Sequence, residues 1–284
     1  MFQPHADRIA KPLLAIASFA CATMLALIIA VIVIGAWPAL SSHDSIAFIT
    51  DKSWYPLEGQ FGMLSMLLAS VLVMIIAILL AAPIGIMCAI FIAYIAPARI
   101  QKGYRFAIAL LAGMPSVVLG LWGLTVLVPL INKWSPPGQS LLLAGIVLCI
   151  MILPTVTLTS LAALKSLPAT LQHAASALGI RQHVQIVNVL IPAASAAIIS
   201  GVLLAMARAL GETMVVLMVA GNVVQFPTGL LEPVRTLTAN IALEMAYATD
   251  LHRASLFVSG LILTVLVLVM MLIASKIKSD NHYG

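Results

Sequence analysis

Ala205-Met-Ala-Arg208-Ala-Leu-Gly211-Glu212-Thr213-Met214 sits within an apolar run that begins near Ala193 and continues past Val219, and Arg208 and Glu212 are its charges. A charge at bilayer depth costs roughly 2.5 to 3.5 kcal/mol even on lenient insertion scales, so two ionisable residues here mark a functional site by default. Their spacing of four puts both on one face of an α-helix, about one turn apart, where they pair with each other or share a ligand. Gly211 between them lacks a Cβ and lets a partner or substrate approach the backbone. The alternative reading is a structural ion pair that sets helix registry.

The rest of the chain agrees with a membrane setting. Of its 284 residues, 63% are hydrophobic and 8% charged, and the mean hydropathy is +1.16, where soluble domains carry about 25% charged residues. Stretches 12–43, 59–98, 106–132, 134–164 and 254–275 contain no Asp, Glu, Lys or Arg, and each exceeds the roughly 20 residues a bilayer crossing needs. With the stretch around Arg208, this predicts an all-α polytopic protein with six crossings at about 13–36, 63–95, 106–130, 140–162, 194–222 and 255–275. The organisation expected is an anchor helix and loop over 1–62, a permease-like unit over 63–275 and a short tail over 276–284. The apolar run from Leu13 to Trp37 is too long for a cleaved signal core and stays as an anchor.

Basic residues set the orientation. Arg8, Lys11, Arg99, Lys102, Arg105, Lys165, Arg181, Lys276 and Lys278 fall on one side, against Lys52, Lys133, Arg235 and Arg253 on the other. Nine against four places both termini in the cytoplasm. Asp7 and Asp280 are then inside, and Asp44, Asp51, Glu58, Glu232, Glu244 and Asp250 outside. The formal charge of +5 therefore reflects topology, and no basic run argues for nucleic acid. Cys21, Cys88 and Cys149 all fall within spans and read as small buried hydrophobes. The histidines show no metal spacing. No G-x-x-x-x-G-K-[ST] occurs, so this chain does not cradle nucleotide phosphates by that route.

Local signals divide the spans further. Between Pro38 and Gln60 a loop is expected, with Trp37 and Trp54 at the interface. Pro83-Ile-Gly85 predicts a break in span two; Gly113-Met-Pro-Ser116 and Gly120-Leu-Trp-Gly123 predict broken backbone in span three, either lining a cavity or as a plain kink. Thr155, Thr157, Thr159 and Ser160 follow Pro154 and offer hydroxyls to freed carbonyls or to other helices. Between Lys165 and Pro192, Pro168 opens a short surface helix that Gly179 stops in left-handed conformation. A second piece runs from about Arg181 to Leu190, closed by Pro192. The apolar residues such a surface helix exposes suit a partner's groove.

These residues carry a resemblance. His173-Ala174-Ala175, three residues, Gly179, nine residues and Val189-Leu-Ile-Pro192 resemble the cytoplasmic "EAA" loop of ABC-importer permeases. Leu111-Ala-Gly-Met-Pro-Ser-Val-Val118, Gly120-Leu-Trp-Gly123, Met151-Ile-Leu-Pro154, Ala177-Leu-Gly179 and Arg208-Ala-Leu-Gly-Glu-Thr-Met214 look like the phosphate-importer permeases. Gly221-Asn222 and Pro233-Val-Arg-Thr-Leu-Thr238 favour their PstC type. Two positions depart from the pattern: His173 stands where the family usually has Glu, and Tyr94 where an acidic residue often precedes the Ala96-Pro97 pair.

The resemblance implies an ABC transporter type I permease fold, similar to MetI, and phosphate passage through the bacterial inner membrane. Its implied companions are a second permease resembling PstA, ATPase subunits resembling PstB that bind ATP and Mg, and an extracytoplasmic phosphate-binding protein resembling PstS. This chain then has no cofactor and is not an enzyme. Arg208, Glu212, Thr213, Ser116 and Asn222 are expected along the pathway, and His173, Ala174, Ala175, Gly179, Arg181 and Pro192 in the ATPase-coupling loop. Arg presents a planar fork of donors to a tetrahedral oxyanion. Ionised Glu212 repels sulfate but accepts a hydrogen bond from an anion that keeps a proton, as phosphate does. Two readings stand beside this one: a permease for phosphonate, sulfate or molybdate, and a proton-coupled secondary transporter titrating Glu212.

Overall fold

Helix is the one regular structure that satisfies every backbone group within a single apolar segment, and helices dominate the computed structural model. It describes residues 4–42 and 46–280, with side chains for 11–42 and 46–277. Asp44, and the side chains of Asp7, Arg8, Lys278 and Asp280, lie outside the described residues.

In chain order, α1 (Pro4–Ser42) leads to a short α2 (Ala47–Thr50) and an antiparallel hairpin of β1 (Trp54–Tyr55) and β2 (Gln60–Phe61). Then come α3 (Leu64–Ile90), α4 (Ala98–Gly113), α5 (Ser116–Trp122), α6 (Val128–Asn132) and α7 (Leu141–Lys165). The chain closes with α8 (Ala169–Ala177), α9 (Gln182–Gln185), α10 (Ile191–Leu210), α11 (Met214–Val219), α12 (Leu237–Glu244) and α13 (Asp250–Asp280). Five helical runs are long and apolar enough to cross a membrane, and a bent pair makes a sixth.

The main core joins α3, α7, α10 and α11. Small residues let these helices close in, as they do in lipid, where no hydrophobic force drives them together. A Cβ on Gly85 would meet Val156 at 2.8 Å, one on Gly145 would run into Ile76, and one on Gly201 into the Thr159 hydroxyl. At the bundle's periphery α1 lies on α13, with Gly35 against the Phe257 ring. The bundle has two ends, one carrying the Trp54 hairpin and the other the 166–181 loop.

Several expectations change here. Span three is not one straight crossing over 106–130: the chain turns by 91° between Gly113 and Ser116, where Pro115 holds Met114 in extended conformation. Its apolar length is shared between Ala98–Gly113 and Ser116–Asn132. Span five is not one helix over 194–222 either, since α10 stops at Leu210 and helix resumes at Met214. Pro83 makes no break, and α3 runs unbroken through it. Pro192 closes nothing, because the helical path is continuous from Gln182 to Leu210. A proline ring clashes with the carbonyl four residues before it. For Pro192 that residue is Asn188, inside a wider π turn over Ile186–Leu190. Pro129 repeats the arrangement, with Thr125 inside the π turn Gly123–Leu127. The segment after Pro38 is also more ordered than a loop, and α1 passes through Pro38 to Ser42. Trp37 is 66% exposed, but Trp54 is only 5% exposed and belongs to a core cluster, not the interface.

Candidate functional site

On α10, Ala193, Ala197, Leu204 and Arg208 are exposed, as is Gly211 just past its end; Pro192 and Ile199 are exposed on another side, and the remaining residues are buried or half-buried. At 100° per residue these five fall within about 60° of one another, so they form a narrow, mostly small-residue stripe along the helix, apart from exposed Pro192 and Ile199 on the other side. Arg208 lies about 26 Å along it from Ile191. Helical side chains lean back toward the N-terminus, and Arg208 Nη1 accordingly donates to Thr155 Oγ1 on α7 at 3.2 Å. The remaining guanidinium donors are not bonded to other groups among the described residues.

Immediately beyond, helix gives way. Glu212 and Thr213 lie between the two helices and are both half-buried; Glu212 N–H closes a tightened last turn on Ala209 O at 3.3 Å, and Thr213 O accepts from Leu217 N–H at the start of α11. Thr238 Oγ1, from the first turn of α12, donates to the Glu212 carbonyl at 2.9 Å and so fills an acceptor that the interrupted helix leaves open. The Glu212 side lines a small pocket with Ser70, Thr236 and Thr238. The expectation that Arg208 and Glu212 share a continuous helical face is therefore corrected. Neither belongs to an ion pair among the described residues. They flank a break, with Arg208 anchored to α7 and Glu212 to α12.

Ser116 reaches the same level by register. A Cβ on Gly120 would meet Met218 Sδ at 2.8 Å and Val215 Cα at 3.2 Å, and one on Gly123 would meet Val219 at 2.9 Å. Thus α5 and α11 run side by side in the same direction. Ser116 lies one turn before Gly120 on the same face, level with the Gly211–Thr213 break. Asn222 is not part of this group. It sits in the irregular stretch after α11 with φ +57°, its Nδ2 donates to Leu217 O at 2.7 Å, and its carbonyl accepts from Arg235 Nε at 2.9 Å.

Asn222 belongs instead to a polar cluster that sequence reading missed. Buried Glu244 accepts from Arg235 Nη1 at 2.7 Å through Oε1; its Oε2 lies 2.8 Å from His252 Nε2 and accepts from Trp54 Nε1 at 2.9 Å. Arg235 Nη1 also donates to Asn240 Oδ1 at 3.1 Å. One carboxylate thereby ties together the hairpin, the loop before α12, α12 itself and α13. Arg235 and Glu244 are nine apart and Trp54 is remote in sequence, so no periodicity signals the cluster. Thr155 had a signal, the hydroxyl run after Pro154, although Thr157 and Thr159 only bond carbonyls of their own helix. In the neighbouring loop the Glu232 carboxyl is held below its usual range by the Thr228 hydroxyl and the Gly229 N–H.

The opposite end carries the 166–181 loop. Gly179 has φ +69°, its N–H bonds Ser176 O, and Ile180 N–H reaches back to Ala175 O, the paired bonds of a Schellman stop. His173, Ala174 and Arg181 are exposed and Ala175 is buried. Leu178, 78% exposed, projects an apolar side chain from the end of α8. Gln185 Nε2 donates to Gln172 O at 2.7 Å and Gln182 Nε2 to Tyr94 O at 2.8 Å, while Tyr94 OH donates to Leu164 O. Tyr94 thus ties the end of α3 to α7 and to the start of α9.

Comparison with known proteins decides what these features belong to. Residues 81–279 match the family described as "Binding-protein-dependent transport system inner membrane component". The chain belongs to this family. It is a multi-pass transport subunit of an ABC importer, not an enzyme, and it has the MetI-like type I permease fold. Such subunits act with ATPase subunits, a second permease and a binding protein. A phosphate transport system permease protein PstC from Mesorhizobium japonicum is 36% identical over 262 residues, 84% of this chain and 80% of that protein. A probable ABC transporter permease protein, YqgH of Bacillus subtilis, is 40% identical over 240 residues, 82% and 78% of the two chains. An inward-facing structure of the MetNI methionine ABC transporter has a TM-score of 0.64 at 14% identity, over 81% of this chain and 99% of that one.

Proposed function

We propose that this permease passes inorganic phosphate into the cytoplasm, together with a PstA-like second permease, PstB-like ATPase subunits that hold ATP and Mg, and a PstS-like binding protein. The observation that carries the reading is the free side of the Arg208 fork, at the end of the open stripe on α10 and beside a helix break holding Glu212. An exposed guanidinium deep in an apolar span is costly without a ligand, and its fork matches a phosphate oxyanion. Relatives named for phosphate transport support the substrate. Glu212 admits an anion that retains a proton; Thr213 and Ser116 offer hydroxyls at the same level. Asn222, held in the Glu244 cluster, supports the outer framework and does not touch substrate.

In proteoliposomes holding the whole complex and the phosphate-loaded binding protein, uptake should require ATP, survive an uncoupler and resist excess sulfate. Loss of uptake with the uncoupler would favour the proton-coupled alternative, and inhibition by sulfate another oxyanion. Orientation has its own test. A cysteine at exposed Ser53 should react with a membrane-impermeant reagent from outside, and one at exposed Gln172 should not; reversed labelling would move the 166–181 loop to the wrong side for an ATPase.

The coupling role falls to His173, Ala174, Ala175, Gly179, Arg181 and Pro192. Gly179→Val forces a β-branched residue into left-handed backbone, at a cost of about 1 to 2 kcal/mol, with open space around it. The effect is therefore on the α8 stop and not on packing. We expect the variant to insert normally, lose ATPase in pull-down and transport poorly. Normal assembly and uptake would remove the loop from the coupling path.

A further inference from the structure

We propose that α4 lies flat in the cytoplasmic leaflet and binds anionic lipid headgroups through Arg99, Lys102 and Arg105. The first observation is direction: α4 stands at 91° to the crossing that follows it. The second is depth. The helix packs at the 166–181 end, where Tyr104 lies against Phe91 with ring centroids 5.4 Å apart. Ile108 joins a cluster formed by Ala89, Ile92, Leu164 and Ala194 among others, all near that end of their helices. No residue of α4 is buried, so most of its surface is covered by something other than this chain.

The third observation is charge placement. At 100° per residue, Arg99, Lys102 and Arg105 fall within one arc of about 120°. Ile100, Ala107 and Leu111 lie on the opposite side and Ile108 faces the bundle about 80° from them, while apolar Phe106 and Ala109 continue the cationic arc in the second half of the helix, so the cationic side is that of its first two turns. A helix with its flank on protein, an apolar side and a cationic side fits an in-plane position at a headgroup boundary. A straight crossing over 106–130 would leave the same cations at its start, and it is the 91° turn before Ser116 that excludes it. Each basic residue near an anionic surface is worth about 1 kcal/mol, or about fivefold in binding. The leaflet assignment rests on the orientation proposed above; the tests below do not measure transport, so they fail or succeed independently of the phosphate reading.

Gly103 and Gly113 have nothing within 4 Å of a built Cβ and accept labels on a cysteine-free background of the assembled complex in nanodiscs. Ten residues of helix span about 15 Å. Nitroxides at Gly103→Cys and Gly113→Cys should report depths within about 5 Å of each other for the in-plane helix. A separation near 15 Å would overturn the proposal. A fluorophore at Gly103→Cys should be quenched about twofold more by brominated phosphatidylglycerol than by brominated phosphatidylcholine at equal mole fraction. Arg99→Gln with Lys102→Gln and Arg105→Gln should erase that preference and leave the depths unchanged. Equal quenching by the two lipids in the unsubstituted helix, as expected if this face instead meets a protein subunit, would also overturn it.

Discussion

Arg208→Lys should leave the complex assembled and cut phosphate uptake roughly 10- to 100-fold, the weight of a charge-assisted hydrogen bond at 1.5 to 3 kcal/mol. Lysine keeps the charge and a donor for Thr155, so the one side-chain hydrogen bond Arg208 makes among the described residues survives the change. What it loses is the planar fork. The arginine is exposed on α10, so no packing defect accompanies the substitution. Glu212→Gln should assemble and fail similarly, because an amide both accepts and donates and no longer repels a fully deprotonated anion. Uptake and subunit pull-down measured on the same membranes separate lost transport from lost assembly. Normal uptake by Arg208→Lys would show that only charge is needed there.

The second large effect is on stability. Glu244→Ala leaves Arg235, His252 and Trp54 without their shared acceptor, in a cluster where the Glu244 side chain is 9% exposed and that of Arg235 20%. Breaking a buried pair from one side costs 3 to 5 kcal/mol, and the partial exposure of Arg235 places this case near the lower bound, about 3 kcal/mol. The thermal midpoint of the purified complex should fall by several degrees. Glu244→Gln retains one acceptor and donates where Arg235 cannot accept, so it should lie between. An unchanged midpoint in Glu244→Ala would mean that the hairpin, α12 and α13 hold together by apolar packing alone.

What the sequence revealed and what it hid have separable causes. Spans were legible because apolar length is a local property. The Gly179 stop was legible because a left-handed position selects glycine by sterics alone. Arg208 stood out because charge in an apolar run is conspicuous wherever the helix ends. The break at Gly211–Thr213 was not legible: Gly, Glu and Thr are tolerated in helices, and the interruption depends on Thr238, 26 residues away, serving as partner to the Glu212 carbonyl. Pro83 and Pro192 misled in the other direction, since neighbouring helices and π turns absorb a proline that would break an isolated helix. Trp54 looked interfacial because a lone Trp in a polar loop usually is; its partner Glu244 lies 190 residues on. The bend before Ser116 was half legible, visible as Gly113 and Pro115 but without its angle.

The central claim is that Arg208 and Glu212 act on substrate and not on each other. The double variant Arg208→Glu with Glu212→Arg tests it most directly, by ATP-driven phosphate uptake in proteoliposomes matched for assembled complex. The two side chains flank a helix break and form no ion pair with each other, so a directional site with its cation on α10 and its anion at the break should not survive exchange. The account predicts no recovery of uptake over either single substitution. Uptake restored by the swap would contradict it and return both residues to the role of packing registry.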